Sequence, residues 1–307
     1  MNSVRIGTRG SELALWQARR VQEKLAASGV RSELHLLKTT GDRHADVPLS
    51  SIGGKGMFIK ELEEALVRDE VDLAVHSLKD VPSLVPPEFE LAGFLERGDP
   101  RDAWFHPDGL AIERLPEGSL IGTSAPRRRA QLRTLHPRLR VVALRGNVPT
   151  RLQKMRDGLC AGLVLAAAGV TRLGREREIT SRFEADQMIP AAGQGIVGLE
   201  ILRRRDDMRE IVRGISDADA ELAAECERGV LQQFGTLLDC YSAVAVHARL
   251  TGDQIRIDAF FSDPEGEISI RDTIGGSRED HGVLVRQLAD RLKQQGALDL
   301  LGARDDE

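Results

Sequence analysis

The chain has 307 residues, 41% hydrophobic and 30% charged, with a formal net charge of −5. That length suits two or three domains with cores of their own, and the longest apolar stretch, Leu163 to Val170, falls far short of the roughly 20 residues that span a bilayer. No charged-then-apolar leader pattern opens the chain, and three cysteines argue against a disulfide framework, so the composition predicts a cytoplasmic protein and excludes membrane-spanning, disulfide-scaffold and disordered classes.

Val4–Thr8 reads as a strand, followed by a helix whose apolar positions run from Leu13 through Trp16, Ala18 and Val21 to Leu25 before Gly29 stops it. Ser32–Leu37 alternates like a strand, Met57–Leu66 reads as a helix, and Val71–Val75 and Leu91–Leu95 read as strands. After Arg97-Gly-Asp-Pro-Arg101 the pattern restarts: strand Leu120–Gly122, helix Arg127–Leu135, strand Arg140–Leu144, helix Val148–Arg156, strand Leu163–Ala166. Such alternation predicts parallel sheets with helices on both faces. The last third changes character. A helix near Ala218–Gln233 precedes three strands, at about Ala243–Leu250, Gln254–Phe261 and Ile268–Thr273, and a helix at about Leu284–Gln294, which predicts a small α+β domain. The fold class is therefore α/β, with two βα domains flanking a cleft and a C-terminal α+β domain.

Charge is uneven. Of the 43 basic residues, 36 are arginine, and residues 101–182 hold 15 of these and Lys154 against seven acids. Arginine presents a planar fork that matches carboxylate and phosphate. An anionic ligand and a solvated basic surface both explain such a composition, so the positions have to decide. Thr8-Arg9-Gly10-Ser11, Gly122-Thr123-Ser124-Ala125-Pro126-Arg127-Arg128 and Leu144-Arg145-Gly146-Asn147-Val148-Pro149-Thr150-Arg151 each place arginine at a strand-to-helix turn, where free backbone N–H groups also point. A solvated surface scatters arginine along helix faces instead. The run Arg203–Arg205 fits that plainer description.

Other strings are weaker. Gly193-x-Gly195-x-x-Gly198 lacks the strand-before, helix-after setting of a dinucleotide fingerprint, and Gly53-Gly-Lys55-Gly56 lacks the Ser/Thr and first glycine of a Walker loop. It remains a glycine-rich loop carrying one lysine. The seven histidines show no ligand spacing, so no metal is expected. Aromatic content of 4% and the acidic balance argue against nucleic acid. In Val75-His76-Ser77-Leu78-Lys79-Asp80-Val81-Pro82, Asp80 is either an ordinary turn residue or a carboxylate facing a cationic cleft; spacing leaves both open.

Taken together, Thr8-Arg-Gly-Ser-x-Leu-Ala-Leu-Trp16-Gln17, Gly53-Gly-Lys-Gly-x-Phe58-x-Lys-Glu-Leu-Glu, Ala74-Val-His-Ser-x-Lys-Asp-Val-Pro82, Arg101-Asp-Ala, Gly122-Thr-Ser, Leu144-Arg-Gly-Asn-Val148, Ala168-Gly-x-x-Arg172-Leu-Gly and Pro190-Ala-x-Gly-Gln194-Gly-x-Val-Gly-x-Glu200 resemble the porphobilinogen deaminase (hydroxymethylbilane synthase) family, collinearly from about residue 4 to 235. The resemblance implies two lobes like those of periplasmic binding proteins, residues 1–96 with 196–216 and residues 97–195, and a third domain, 217–307. It implies a cytoplasmic, monomeric transferase that joins four porphobilinogens into linear hydroxymethylbilane with release of ammonia, without nucleic-acid or membrane partners. It also implies a dipyrromethane cofactor held covalently through Cys240. By the same matching Asp80 is the catalytic carboxylate; Arg9, Ser11, Lys55, Lys79, Thr123, Ser124, Arg127, Arg128, Arg145, Arg151, Arg172 and Gln194 bind substrate and cofactor carboxylates; and Phe58 sits on a loop over the cleft. Two departures stand out. Ala125 replaces a serine common in the family, and Phe234-Gly-Thr-Leu-Leu-Asp-Cys240 lacks the paired glycines usual before the cysteine. A non-catalytic two-lobed anion-binding module that has lost the cofactor is the second reading.

Overall fold

The structure, a computed structural model, describes residues 3–37, 59–238 and 241–302. In chain order the elements begin with β1 (Val4–Arg9), α1 (Glu12–Ala27), β2 (Ser32–Leu37), α2 (Lys60–Val67), β3 (Leu73–Ser77) and β4 (Phe89–Leu95). There follow β5 (Asp102–Phe105), β6 (Leu120–Gly122), α3 (Pro126–Leu135), β7 (Arg140–Val142), α4 (Val148–Arg156), β8 (Gly162–Ala166), α5 (Ala167–Arg172) and β9 (Ser181–Arg182). The remainder comprises β10 (Val197–Leu202), α6 (Asp206–Arg213), α7 (Ala218–Gln232), β11 (Ala243–Thr251), β12 (Gln254–Ser262), β13 (Ser269–Ser277), α8 (His281–Gln294) and α9 (Ala297–Gly302). Two compact units result, one from residues up to 98 with 195–222, the other from 99–194 with 223–307.

In the first unit the sheet order is β2-β1-β3-β10-β4. β1 pairs in parallel with β2 and β3, whereas β10 runs antiparallel to β3 and β4. Alternation sorts the side chains. Ile6, Val75 and Leu199 face Ala18, Val21 and Leu25 of α1 and Met208 and Val212 of α6, while Ala74 and Leu202 face Leu62, Ala65 and Leu66 of α2. Each such large side chain contributes on the order of 1.5–3 kcal/mol on burial. Arg5 and Arg205 bracket the buried Asp72 and hold its carboxyl down at about 2 against the opposing cost of burial.

In the second unit a five-stranded sheet, β7-β6-β8-β5-β9, and a three-stranded meander, β11-β12-β13, belong together. Residues from 223 onward cluster with 99–194 in this second unit. The reason is packing: Ala130 of α3 and Ile189 join Ala243, Ala245 and Phe260 of the meander in one apolar cluster. The turn between β12 and β13 also closes on α3. A Cβ at Gly266 would lie 2.7 Å from Ala130 Cα, and Gly266 has φ +76°. Arg133 Nη1 donates to the Glu265 carbonyl at 3.0 Å on the same side. Buried Glu227 of α7 adds a polar tie, accepting from Gly193 N at 2.6 Å and Ala248 N at 2.8 Å.

Gly162 opens β8 where Trp104 of β5 crosses: a Cβ there would stand 2.1 Å from Trp104 Cη2 and 2.5 Å from the Phe105 carbonyl oxygen. Backbone cannot yield as a flexible side chain does. Gly162→Ala is expected to cost about 3 kcal/mol, the upper part of the usual overpacking range, and to lower the unfolding midpoint by about 6–12 °C in calorimetry. An unchanged midpoint would contradict this packing.

Candidate active site

Parallel strands bring the loops that follow them to one edge of a sheet. In the first unit β1 and β3 are parallel neighbours, so Arg9-Gly10-Ser11 and Leu78-Lys79-Asp80 leave the same edge. Ser11 caps α1, its Oγ accepting from Ala14 N at 3.3 Å. Ser77 Oγ accepts from the buried Gln17 of α1 at 2.8 Å, and Leu78 N donates to the Ile196 carbonyl at 3.0 Å. Between these ties Leu78–Asp80 forms one turn of 3-10 helix, with Leu78 buried and Lys79 and Asp80 exposed. Asp80 is therefore a solvent-facing carboxylate on a turn anchored at both sides. Lys55 and Phe58 lie outside the described residues.

Under this turn is a polar cluster that the sequence reading passed over. Buried His76 Nε2 lies 3.0 Å from Glu200 Oε2 on the α2 face of the sheet. Glu63 of α2 is raised from 4.5 to about 7 by burial first and by the charge of Glu200 second.

The second unit repeats the edge arrangement. β6, β7 and β8 are parallel, so the turns after them emerge together. Thr123 is buried, its N donating to the Val142 carbonyl at 2.9 Å, and Ser124 Oγ donates to the Leu144 carbonyl at 2.8 Å. Ala125, where the family often has serine, is the N-cap of α3 and offers no side-chain cap; Pro126 fills the first turn. Asn147 caps α4, accepting from Thr150 N at 2.9 Å. Arg145 precedes it and Arg151 stands in the first turns of α4, both half-buried. Arg172 ends α5, and burial lowers its guanidinium to about 10.

Arg127 and Arg128 turn inward from the strand-to-helix turn. Both are buried, at 5% and 4% exposure, and both point at the fully buried Asp102. Arg127 Nη1 donates to Asp102 Oδ2 at 2.6 Å and Arg128 Nη2 to Oδ1 at 2.7 Å. Gln194 joins them, with Oε1 accepting from Arg127 Nη2 and Nε2 donating to Asp102, each at 3.0 Å. The two guanidinium groups hold the Asp102 carboxyl far below the usual carboxylate range, outweighing its burial. Arginines on the inner face of α3 had to find a counter-charge once α3 packed down. The sequence signal was there in Arg101-Asp102-Ala103, but nothing in the spacing joined residue 102 to 127 and 128.

Of the three thiols, Cys240 lies outside the described residues. Cys160 is packed in the core with Leu144 and Leu163, and Cys226 is fully buried on α7, its thiol raised to about 12 by burial and by Glu227 and Glu225.

The two units are α/β, each with arginine-bearing turns at one edge of its sheet. Residues 4–210 match the family described as "Porphobilinogen deaminase, dipyromethane cofactor binding domain". The porphobilinogen deaminase of Desulfitobacterium hafniense is 43% identical over 98% of this chain and 97% of its own length, and that of Albidiferax ferrireducens is 44% identical over 88% and 85%. Among solved structures, the methionine binding protein MetQ is 12% identical, with a TM-score of 0.46 over 73% of this chain and 94% of that one, a likeness too slight to carry an argument. The chain belongs to the porphobilinogen deaminase family.

Glu63 generates a prediction. The unfolded chain releases this proton near 4.5 and the folded chain near 7, so the folded state holds more protons between them and stability falls as pH rises through that window. Glu63→Gln is expected to flatten the fall in unfolding midpoint between pH 5 and pH 8, measured by thermal melts. An identical pH dependence in the variant would remove Glu63 as the source.

Proposed function

We propose that this chain joins four porphobilinogen molecules head to tail into hydroxymethylbilane, releasing ammonia at each addition, with Asp80 as the catalytic carboxylate. The observation that carries the reading is Asp80 itself: a charged side chain held out to solvent on a turn fixed by Leu78 and Ser77, at the sheet edge that also bears Arg9. In each addition the aminomethyl C–N bond breaks, the nitrogen leaves with the electron pair as ammonia, and positive charge spreads over the methylene carbon and pyrrole ring. Asp80 accepts the pyrrole N–H and stabilises that charge as it develops, a preorganised electrostatic role. The α-carbon of the neighbouring pyrrole then forms the new C–C bond and gives up its proton, and after the fourth addition a water molecule supplies the hydroxyl of the released hydroxymethylbilane.

Every pyrrole unit carries acetate and propionate arms, and the donor set suits them. Arg9, Ser11 and Lys79 in the first unit serve these carboxylates, and Thr123, Ser124, Arg145, Arg151, Arg172 and Gln194 do so in the second, with Arg127 contributing its Nε and Arg128 the N–H bonds it does not spend on Asp102 and Val164. The dipyrromethane cofactor supplies a primer, a pyrrole carbon on which the chain is begun. Its acid arms suit the same cations. Cys240 is the attachment thiol: burial of Cys160 and Cys226 supports this by leaving neither in the state a nucleophilic thiolate needs. Lys55 and Phe58 act from the glycine-rich loop. The protein works as a cytoplasmic monomer without nucleic acid. No helix among the described residues is long and apolar enough to cross a membrane.

Two measurements test the reading. Asp80→Asn is expected to leave the unfolding midpoint unchanged and lower turnover by about two to four powers of ten, the size of a lost preorganised charge; near-normal turnover sinks the assignment. Digestion and peptide mass mapping of active enzyme is expected to find the two-pyrrole adduct on the Cys240 peptide. An adduct on Cys160 or Cys226 would overturn the attachment site.

A further inference from the structure

Asp102 has no task in the proposed reaction, yet its oxygens accept five hydrogen bonds from side chains of the binding set. Arg127 reaches it through Nη1 (2.6 Å) and Nη2 (3.1 Å), Arg128 through Nε (3.0 Å) and Nη2 (2.7 Å), and Gln194 through Nε2 (3.0 Å). A guanidinium grips a carboxylate most strongly through a two-nitrogen edge. On each arginine one such edge is already spent on Asp102. Backbone carbonyls take further donors: Arg127 Nη1 also donates to Ile189 O at 3.2 Å and Arg128 Nη1 to Val164 O at 3.1 Å. The three ions together carry a single net positive charge in a buried site.

We propose that Asp102 is a positioning residue that acts as a built-in counter-anion: it fixes both guanidinium planes and limits how tightly the pair holds the carboxylates of a growing pyrrole chain. This rests on the reading that Arg127 and Arg128 contact those carboxylates. An enzyme that adds four units in succession has to release each acid arm as the chain lengthens, and two unmasked guanidinium groups in a buried site hold an anion too long. Asp102 competes for them permanently and from within.

A cycle of variants tests this. Arg128→Gln makes the cluster neutral and is expected to raise KM for porphobilinogen about tenfold or more, as for a lost charged hydrogen bond. Adding Asp102→Asn returns the net charge to one positive and is expected to bring KM back by about threefold or more. Asp102→Asn alone is expected to lower kcat about tenfold without raising KM. Its unfolding midpoint should also climb with added acetate, a carboxylate probe, while that of the unchanged protein stays put; this readout needs neither turnover nor cofactor. If Asp102→Asn alone fails to fold, the comparison of Arg128→Gln with the double variant still decides. A double variant that binds no more tightly than Arg128→Gln overturns the proposal and leaves Asp102 a purely structural anchor. An unchanged KM in Arg128→Gln overturns instead the reading on which the proposal rests.

Discussion

One buried carboxylate organises the second unit. Asp102 begins β5 beside the end of β8, and through Arg127 and Arg128 it pulls the first turn of α3 onto that sheet. Stripping water from three charges is expensive, and such a cluster survives only when every lone pair and N–H finds a partner. Here Gln194, Ile189 and Val164 supply further partners. Gln131, one turn further along α3, exchanges bonds with Ile189 N (2.7 Å) and O (3.0 Å) and extends the same contact.

With α3 fixed on its inner face, its outer face becomes a docking surface for the C-terminal meander. Arg129 donates to the Pro264 carbonyl and Arg133 reaches Glu267 at 2.9 Å, while Gly266 allows the β12–β13 turn to touch Ala130. Three consecutive arginines thus do different work because a helix turns by about 100° per residue: Arg127 and Arg128 go inward to Asp102, Arg129 outward to the loop. Glu227 performs the matching task on α7, joining Gly193 to His247 and Ala248. These ties hold the C-terminal segment against the second unit's α3 and the Gly193 loop.

The first unit uses lighter means. Its turns are set by a serine cap, by Gln17 on Ser77 and by the crossing of β10, whose antiparallel insertion between β3 and β4 supplies the carbonyl that receives Leu78 N. The result keeps Asp80 exposed on a rigid base. His76 and Glu200 below it form a buried acid–base pair beside a cluster of apolar side chains.

Much of this was legible in the residues. Hydrophobic period and turn chemistry marked β1, α1, β3, α3, β7, α4 and β8, and the arginine-bearing strand-to-helix turns marked the two sheet edges, because these are local preferences of the chain. Short strands such as β5 and β9, and the antiparallel entry of β10, carry too little periodicity and exist through pairing with distant strands. Motif spacing identified the family but not the work each arginine does. Whether an arginine meets a ligand or a buried aspartate depends on which face packs and on a partner 25 residues away along the chain. Local sequence therefore determined which residues lie at the turns, whereas tertiary packing decided which of their charges are already neutralised from within, since a counter-ion is chosen by distance in space and the cost of desolvation.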